Sequence, residues 1–490
     1  MSLGGRVRAS FCVGAKPAEV TALSAEHSVP EQHDGYFMSG LVLLGVGVLV
    51  RLLLMTRLTP LLVDPSYVDA ARNILRLDFR ALGDRVPVYP LLVALCGLNP
   101  WAVWAVQSIL GLAASFMVFD LAFRLTRHGA SALLIALACS LIRDVLLWER
   151  AIATEALASF LLVVSFWLIT RGEGSGEYKA WYPLVVGLTV AFAGLNRPLM
   201  LCLIPVYYFF LVPLWPPSNI LRGQVGKKSL LFAVPVVTLV LGWCAFNYFN
   251  SGFFTPTTRA GQQLMDPVTP YVELAPEKFG VLRDVWVKNR PHFHDVQEDL
   301  FNESLPEIQR RTGKSQAQVS RELAHLAVYL QVHHPLLCLR QAEDGWMQFW
   351  GAFSAGDLTW PPELRMKLTG FISPMIEFLI RQGVALFLVL ALLSLPLALL
   401  RLQVFSKSDH LVFALALWCS VFAALAEFGD NRRFLVPFLP LIFYVVLTCG
   451  WRWLTSPLSA KNCRPALPPG MYSIPSTGTN PSPPARGANS

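Results

Sequence analysis

Charge is scarce in this chain. Only 15% of its 490 residues are Asp, Glu, Lys or Arg, against roughly 25% in an average soluble domain. That scarcity excludes a chain that is soluble throughout. The basic residues leave a formal net charge of +8, yet they are scattered through short loops and form no stripe, which excludes a nucleic-acid partner. P-loop, GxGxxG, HExxH and GxSxG motifs are all missing, so the chemistries they mark have no signature here. The nine cysteines include no CxxC spacing, and neither a disulfide framework nor a cysteine-held metal follows. Internal repeats, the mark of many secondary transporters, are also missing.

What the chain has instead is oil. Apolar residues make up 54% and mean hydropathy is +0.49. Several runs of about 18 residues or more are nearly free of charge, long enough to cross a hydrocarbon core of roughly 30 Å as helices. The pattern predicts an all-α integral membrane protein with ten spans, at about 38–56, 101–123, 130–147, 155–170, 181–196, 199–215, 230–249, 372–400, 409–427 and 434–451. The first is not a cleavable signal, because GLVLLGVGVLVRLLL lacks a small-residue cleavage site behind it.

Lysine and arginine set the orientation. Arg124, Arg127, Arg171, Lys179, Arg222, Lys227, Lys228, Arg401 and Lys407, with both tails, fall on one side under the ten-span scheme. That side is expected to be cytoplasmic and to hold both termini. The organisation predicted is a cytoplasmic tail 1–37, a membrane bundle 38–250 including an exoplasmic loop 57–100, an exoplasmic domain 251–371, membrane helices 372–453, and a disordered cytoplasmic tail 454–490. The exoplasmic domain reads as a small, mostly helical layer. Within it, Ser315 and Gln318 have the spacing of a capping box.

The unusual polar residues gather at the exoplasmic ends of the spans. Asp64 follows the first span, and Arg85 and Tyr89 precede the second. Arg150 and Glu155 open the fourth, and Asn196 and Arg197 separate the fifth from the sixth. Asn247 ends the seventh. Glu427, Asp430, Arg432 and Arg433 lie between the last two. Carboxylates and guanidiniums converging from several helices at one membrane face would form a cleft for an anionic, lipid-borne substrate. Arginine suits a phosphate because its rigid fork binds two oxygens at once. Asp69, Asp78 and Asp84 read as solvated or capping residues. The RPHFHD stretch offers His292, His294 and Asp295 at a spacing short of a metal site.

In order, PVYPLLVAL, WERAIATEALASFLLVVSFWL, FNYFNSGFFTPTTRAG and NRRFLVPFLPLIF resemble segments of the polyprenyl-phosphate-sugar-dependent glycosyltransferases. These are GT-C fold membrane enzymes that include protein O-mannosyltransferases and lipid A aminoarabinose transferases. The resemblance covers about 40 to 450. It implies a GT-C-like bundle of about ten or more spans and transfer of a sugar from a polyprenyl-phosphate carrier to an exoplasmic protein, lipid or glycan acceptor. It makes Asp64 the catalytic base of an inverting reaction, and matches Glu155 and Arg433 to the family's later acidic and basic positions. Arg85, Tyr89, Arg150, Arg197 and Arg432 join these as candidates for holding the donor phosphate or substrate. Where the family usually shows Asp-Glu, this chain has Asp64-Pro65. No cofactor is certain, and a divalent metal stays open. The expected place is a bacterial inner (cell) membrane with the site on its periplasmic or extracellular side. The competing function is that of a transporter or lipid flippase.

Overall fold

The computed structural model describes residues 29–57, 60, 64–78, 82, 85–174, 181–212, 224–292, 297–351, 372–400, 404–426 and 431–455. Among the expectations above, those for both tails and for Asp84, His294, Asp295, Glu427 and Asp430 lie outside the described residues. No strand occurs among the described residues. The chain divides into units 1–448 and 449–490; of the second, the described residues 449–455 are helical.

Unit one begins with α1 (Val29–Arg57), α2 (Pro65–Leu75), α3 (Val88–Leu95) and α4 (Pro100–Thr126). Local chemistry sets several of these boundaries. Asn99 caps α4 by accepting from the backbone N–H groups of Trp101 at 2.9 Å and Ala102 at 3.3 Å, and Pro100 follows at the first helical position. Asp64 and Pro65 repeat the device at α2. That gives Pro65 a structural reason, since its missing N–H costs nothing at the start of a helix. The face of α2 formed by Tyr67, Ala70 and Ala71 is buried, as its amphipathic sequence requires.

α5 (Gly129–Ser140) and α6 (Arg143–Glu149) follow. They are bent by 57° from one another, where one straight span was expected. Next come α7 (Glu155–Gly174), α8 (Tyr182–Asn196), a 3-10 turn Pro198–Leu203 leading into α9 (Ile204–Leu211), and α10 (Gln224–Ser251). The membrane helices after the central domain are α16 (Ile372–Leu399), α17 (Lys407–Ala426) and α18 (Leu439–Thr455), the last preceded by 3-10 turns at Asn431–Phe434 and Val436–Phe438.

The described residues of each segment expected to span are helical for most of its length, but the described helices do not establish ten spans. Among the described residues, six helices are long and apolar enough to cross a membrane, or seven if the bent α5–α6 pair is one span. The reason is local. α8 has 15 residues, about 22 Å of helix, and Pro198 begins a 3-10 segment where a continuous helix was expected. A window of average hydropathy passes over such breaks.

Between α10 and α16 lies the helical layer the sequence predicts, made of α11 (Ala260–Met265), α12 (Gly280–Asn289), α13 (Gln297–Thr312), α14 (Gln316–His333) and α15 (Pro335–Trp350). Ser315 and Gln318 form the reciprocal capping box that opens α14. Trp286, Phe301, Ile308, Leu323 and Leu330 are wholly buried in its core. α11 crosses α14 at Gly261, whose N–H donates to Ser320 Oγ at 3.0 Å. A Cβ on Gly261 would overlap the Ser320 carbonyl. Gly261→Ala is therefore expected to destabilise the layer by about 1–3 kcal/mol, read as faster proteolysis between α10 and α16. Unchanged protection would show that α11 can shift to admit the methyl.

Candidate functional site

Two acid–arginine clusters stand out, one joining α2 to Arg85, the other joining α7 to Arg197 and the 431–434 turn. The first is built on the α2 cap. Asp64 Oδ1 accepts from the Ser66 N–H at 2.9 Å and the Ser66 hydroxyl at 2.5 Å, and Oδ2 accepts from Arg85 Nη2 at 2.8 Å. Arg85 Nε also donates to Ser66 Oγ at 2.7 Å. Each carboxylate oxygen has two lone pairs, so Oδ2 keeps one acceptor position beyond its bond to Arg85.

The second cluster is deeper. Glu155, wholly buried at the first position of α7, accepts from Arg197 Nη1 at 2.9 Å and from Arg433 Nε, both through Oε1. Its Oε2 is buried and has no hydrogen-bond partner among the described residues. Aromatic faces hold the two guanidiniums: Arg197 lies 4.0 Å from the Phe434 ring centre and Arg433 lies 5.0 Å from that of Trp148. Such contacts orient arginine without using its N–H donors.

Tyr67 joins the clusters. Arg85 sits 4.8 Å from its ring centre, and the Tyr89 ring meets it edge-on at 5.1 Å. Burial pushes the Tyr67 phenol above its ordinary pKa; the charges of Arg85 and Arg433 oppose that shift, and those of Asp64 and Glu155 add to it. One phenol thus lies within electrostatic reach of both acid–arginine groups.

Other expected residues have other duties. Tyr89 is fully buried and donates its hydroxyl to Gln107 Oε1 at 3.1 Å, behind Tyr67. Gln107 Nε2 then donates at 2.8 Å to the carbonyls of both Glu149 and Ala151, fixing the turn that carries Arg150. Arg150 is buried at 2% exposure. Asn196 donates to the Thr154 carbonyl at 3.0 Å, bracing the start of α7. Asn247 supports its own loop through the Thr255 and Pro256 carbonyls. Arg432 lies toward Gly351 at the end of α15, while its neighbour Arg433 turns to Glu155.

A further pair escaped the sequence reading. Arg51, inside the apolar run of α1, makes a two-pronged bond to Glu149 of α6, with Nε to Oε2 at 2.8 Å and Nη2 to Oε1 at 2.6 Å. Their side chains are 4% and 2% exposed. Gly111 of α4 gives the pair its room, because a Cβ there would overlap the Glu149 carboxylate. A small cavity lined in part by Ser115, Ser140 and Ser159 adjoins it. The signal was present: a charge within a membrane run faces the bundle interior and marks function or a partner. A second interior acid, Asp120, accepts from Trp167 Nε1 at 2.8 Å and Arg124 Nε at 3.0 Å. The span interiors thus carry more charge than the sequence reading allowed.

Chemically, this arrangement can do two things. A carboxylate oxygen with a spare lone pair can take a proton from a hydroxyl, and a set of guanidiniums can neutralise an anion beside it. The chain is an integral membrane protein, with several apolar helices of spanning length. Residues 88–243, about a third of the chain, match the family model described as dolichyl-phosphate-mannose-protein mannosyltransferase, a GT-C family domain. The matched stretch contains Tyr89, Arg150, Glu155 and Arg197; Asp64, Arg85, Arg432 and Arg433 lie outside it. Neither the curated proteins nor the solved structures contain a match to the chain.

Proposed function

We propose that this membrane glycosyltransferase of the mannosyltransferase type moves a sugar from a polyprenyl-phosphate carrier to a hydroxyl acceptor on the exoplasmic side, with inversion. The observation that carries the reading is the pair of acid–arginine clusters, Asp64–Arg85 at the start of α2 and Glu155–Arg197–Arg433 at the start of α7.

Asp64 Oδ2 takes the proton of the acceptor hydroxyl as its oxygen attacks the anomeric carbon. The bond from that carbon to the phosphate oxygen breaks, and its electron pair leaves on the polyprenyl phosphate. Arg433 and Arg197 meet the negative charge that gathers on the departing phosphate, where preorganised donors act most strongly. Glu155 holds both guanidiniums through one oxygen and offers the other, Oε2, to a sugar or acceptor hydroxyl. The exoplasmic side and the cytoplasmic termini complete the reading; the distribution of lysine and arginine supports them.

The test is to incubate the purified protein in lipid with radiolabelled polyprenyl-phosphate sugars and membrane acceptor fractions. Release of polyprenyl phosphate with transfer of label is expected. Label that crosses the bilayer still on its carrier would instead establish a flippase, and intact donor on its original side would refute transfer. Within that assay, Arg433→Ala is expected to lower turnover at limiting donor by about tenfold to a hundredfold, the size of a lost charge-assisted hydrogen bond. An unchanged rate would remove Arg433 from the phosphate site.

A further inference from the structure

The layer formed by α11–α15 buries one apolar face in its own core and shows another outward. Between Glu322 and Glu343 the chain has no carboxylate; it reads LAHLAVYLQVHHPLLCLRQA, with three histidines and Arg340. The inward side chains of α14, Leu323, Leu326, Ala327 and Leu330, are wholly buried. Its outward ones are not: Val328 is 49% and Val332 68% exposed. Across the turn at His334, the start of α15 continues the display with Leu336 at 80% and Leu339 at 62%. Aliphatic residues so exposed, on two touching helices, have no place against water.

Their position points to what covers them. α14 is tied near its start to the end of α10, where Arg321 lies 5.3 Å from the Phe253 ring centre. Phe249 and Phe254 project beside it at 84% and 59% exposure, as aromatic side chains do at a membrane boundary. α15 is tied to α17, a span by length and composition, through Trp346 Nε1 donating to Ser420 Oγ at 3.0 Å and Gly345 packed against Ala424. Leu336 is nine residues from Gly345, so it can stand no more than about 14 Å from that contact. On the same end of α17, Val421, Phe422 and Leu425 face outward as lipid-exposed residues do. The aliphatic display of the turn thus continues the lipid-facing surface of the bundle.

We propose that residues 325–340, the end of α14 and the start of α15, are a membrane-surface anchor whose partner is the lipid bilayer itself. Val328, Val332, Leu336 and Leu339 enter the boundary between headgroups and acyl chains. Arg340 beside them would face headgroup phosphate, with no acid in the chain between Glu322 and Glu343. A protein partner is disfavoured by composition: the most exposed residues are aliphatic, and the segment's one tyrosine, Tyr329, is half-buried against the layer's own core. The anchor is independent of the sugar-transfer reading, and it holds the layer down against the membrane.

The full chain, reconstituted in nanodiscs of phosphatidylcholine and phosphatidylglycerol, carries the photocrosslinker p-benzoylphenylalanine in place of Leu336, of Leu339, of Leu425 in α17, or of the exposed Glu303 in α13. After irradiation, mass spectrometry reads phospholipid adducts. Adducts at 336 and 339 on the scale of those at 425, with only background at 303, are expected. Background at 336 and 339 as at 303, or crosslinks there to a second copy of the chain, would overturn the proposal.

Discussion

Asp64→Asn is expected to slow sugar transfer by about 10²- to 10⁴-fold, the usual worth of a positioned general base, while donor binding stays near wild type. The substitution is informative because it changes so little else. Asparagine is as good a helix cap as aspartate, so the bond from the Ser66 N–H that opens α2 has an acceptor in either case. The shape of the side chain is retained, while the oxygen that accepts from Arg85 Nη2 becomes an amide and that one ion pair is lost. What goes is the negative oxygen able to take a proton. Asp64→Ala would confound the result, because it also removes the cap at about 1 kcal/mol. Single-turnover measurement of polyprenyl-phosphate release separates chemistry from binding. An Asp64→Asn variant as fast as wild type would move the base elsewhere, with Glu155 Oε2, buried and open, the next place to look.

The second large effect concerns stability. Glu149→Leu and Arg51→Leu are each expected to lower stability by about 3–5 kcal/mol, because each leaves a buried charge without its partner. The double variant, with both charges replaced, should recover most of that loss. An ion pair so deeply placed has already given up most of its hydration, and two packed leucines fill similar space at little cost. Retention of fold in a detergent denaturation series reads the effect. Losses that simply add in the double variant would mean that the two residues act independently, against the two-pronged geometry that joins them. Activity offers a second reading. Glu149 and Ala151 lend their carbonyls to Gln107, which holds Tyr89, so a displaced α6 disturbs the wall behind Tyr67.

Much of this was legible in the sequence because single side chains dictate it locally. The Ser315–Gln318 box is a three-residue spacing, and the box forms. The apolar runs became helices because each satisfies its own backbone hydrogen bonds, as lipid demands. Asp64, Arg85, Glu155, Arg197 and Arg433 were legible because each stands next to the end of an apolar run, and ends on one side of a bundle must converge. What stayed hidden depends on long-range pairing or on geometry. Arg51 finds Glu149 98 residues away, and nothing near either residue names the other. Tyr67 and Trp148 are ordinary aromatics until packing sets them under Arg85 and Arg433. Tyr89 passed for a substrate contact because its hydroxyl lies close to the site in sequence, while Gln107 holds it from behind. The bend between α5 and α6 and the 3-10 geometry of Pro198–Leu203 alter no average of hydropathy.

The shortness of α8 has a consequence for the lipid around it. Fifteen residues cover about 22 Å, some 8 Å less than a hydrocarbon core of roughly 30 Å. A bilayer meets such mismatch by thinning or by drawing headgroups and water inward along the protein. The end of α8 is where the thinning is felt, and that end carries Asn196 and Arg197, the latter bonded to Glu155. In the sugar transfer proposed above, such a dip would bring the carrier's phosphate level with Arg197 while its hydrocarbon tail stays in the lipid.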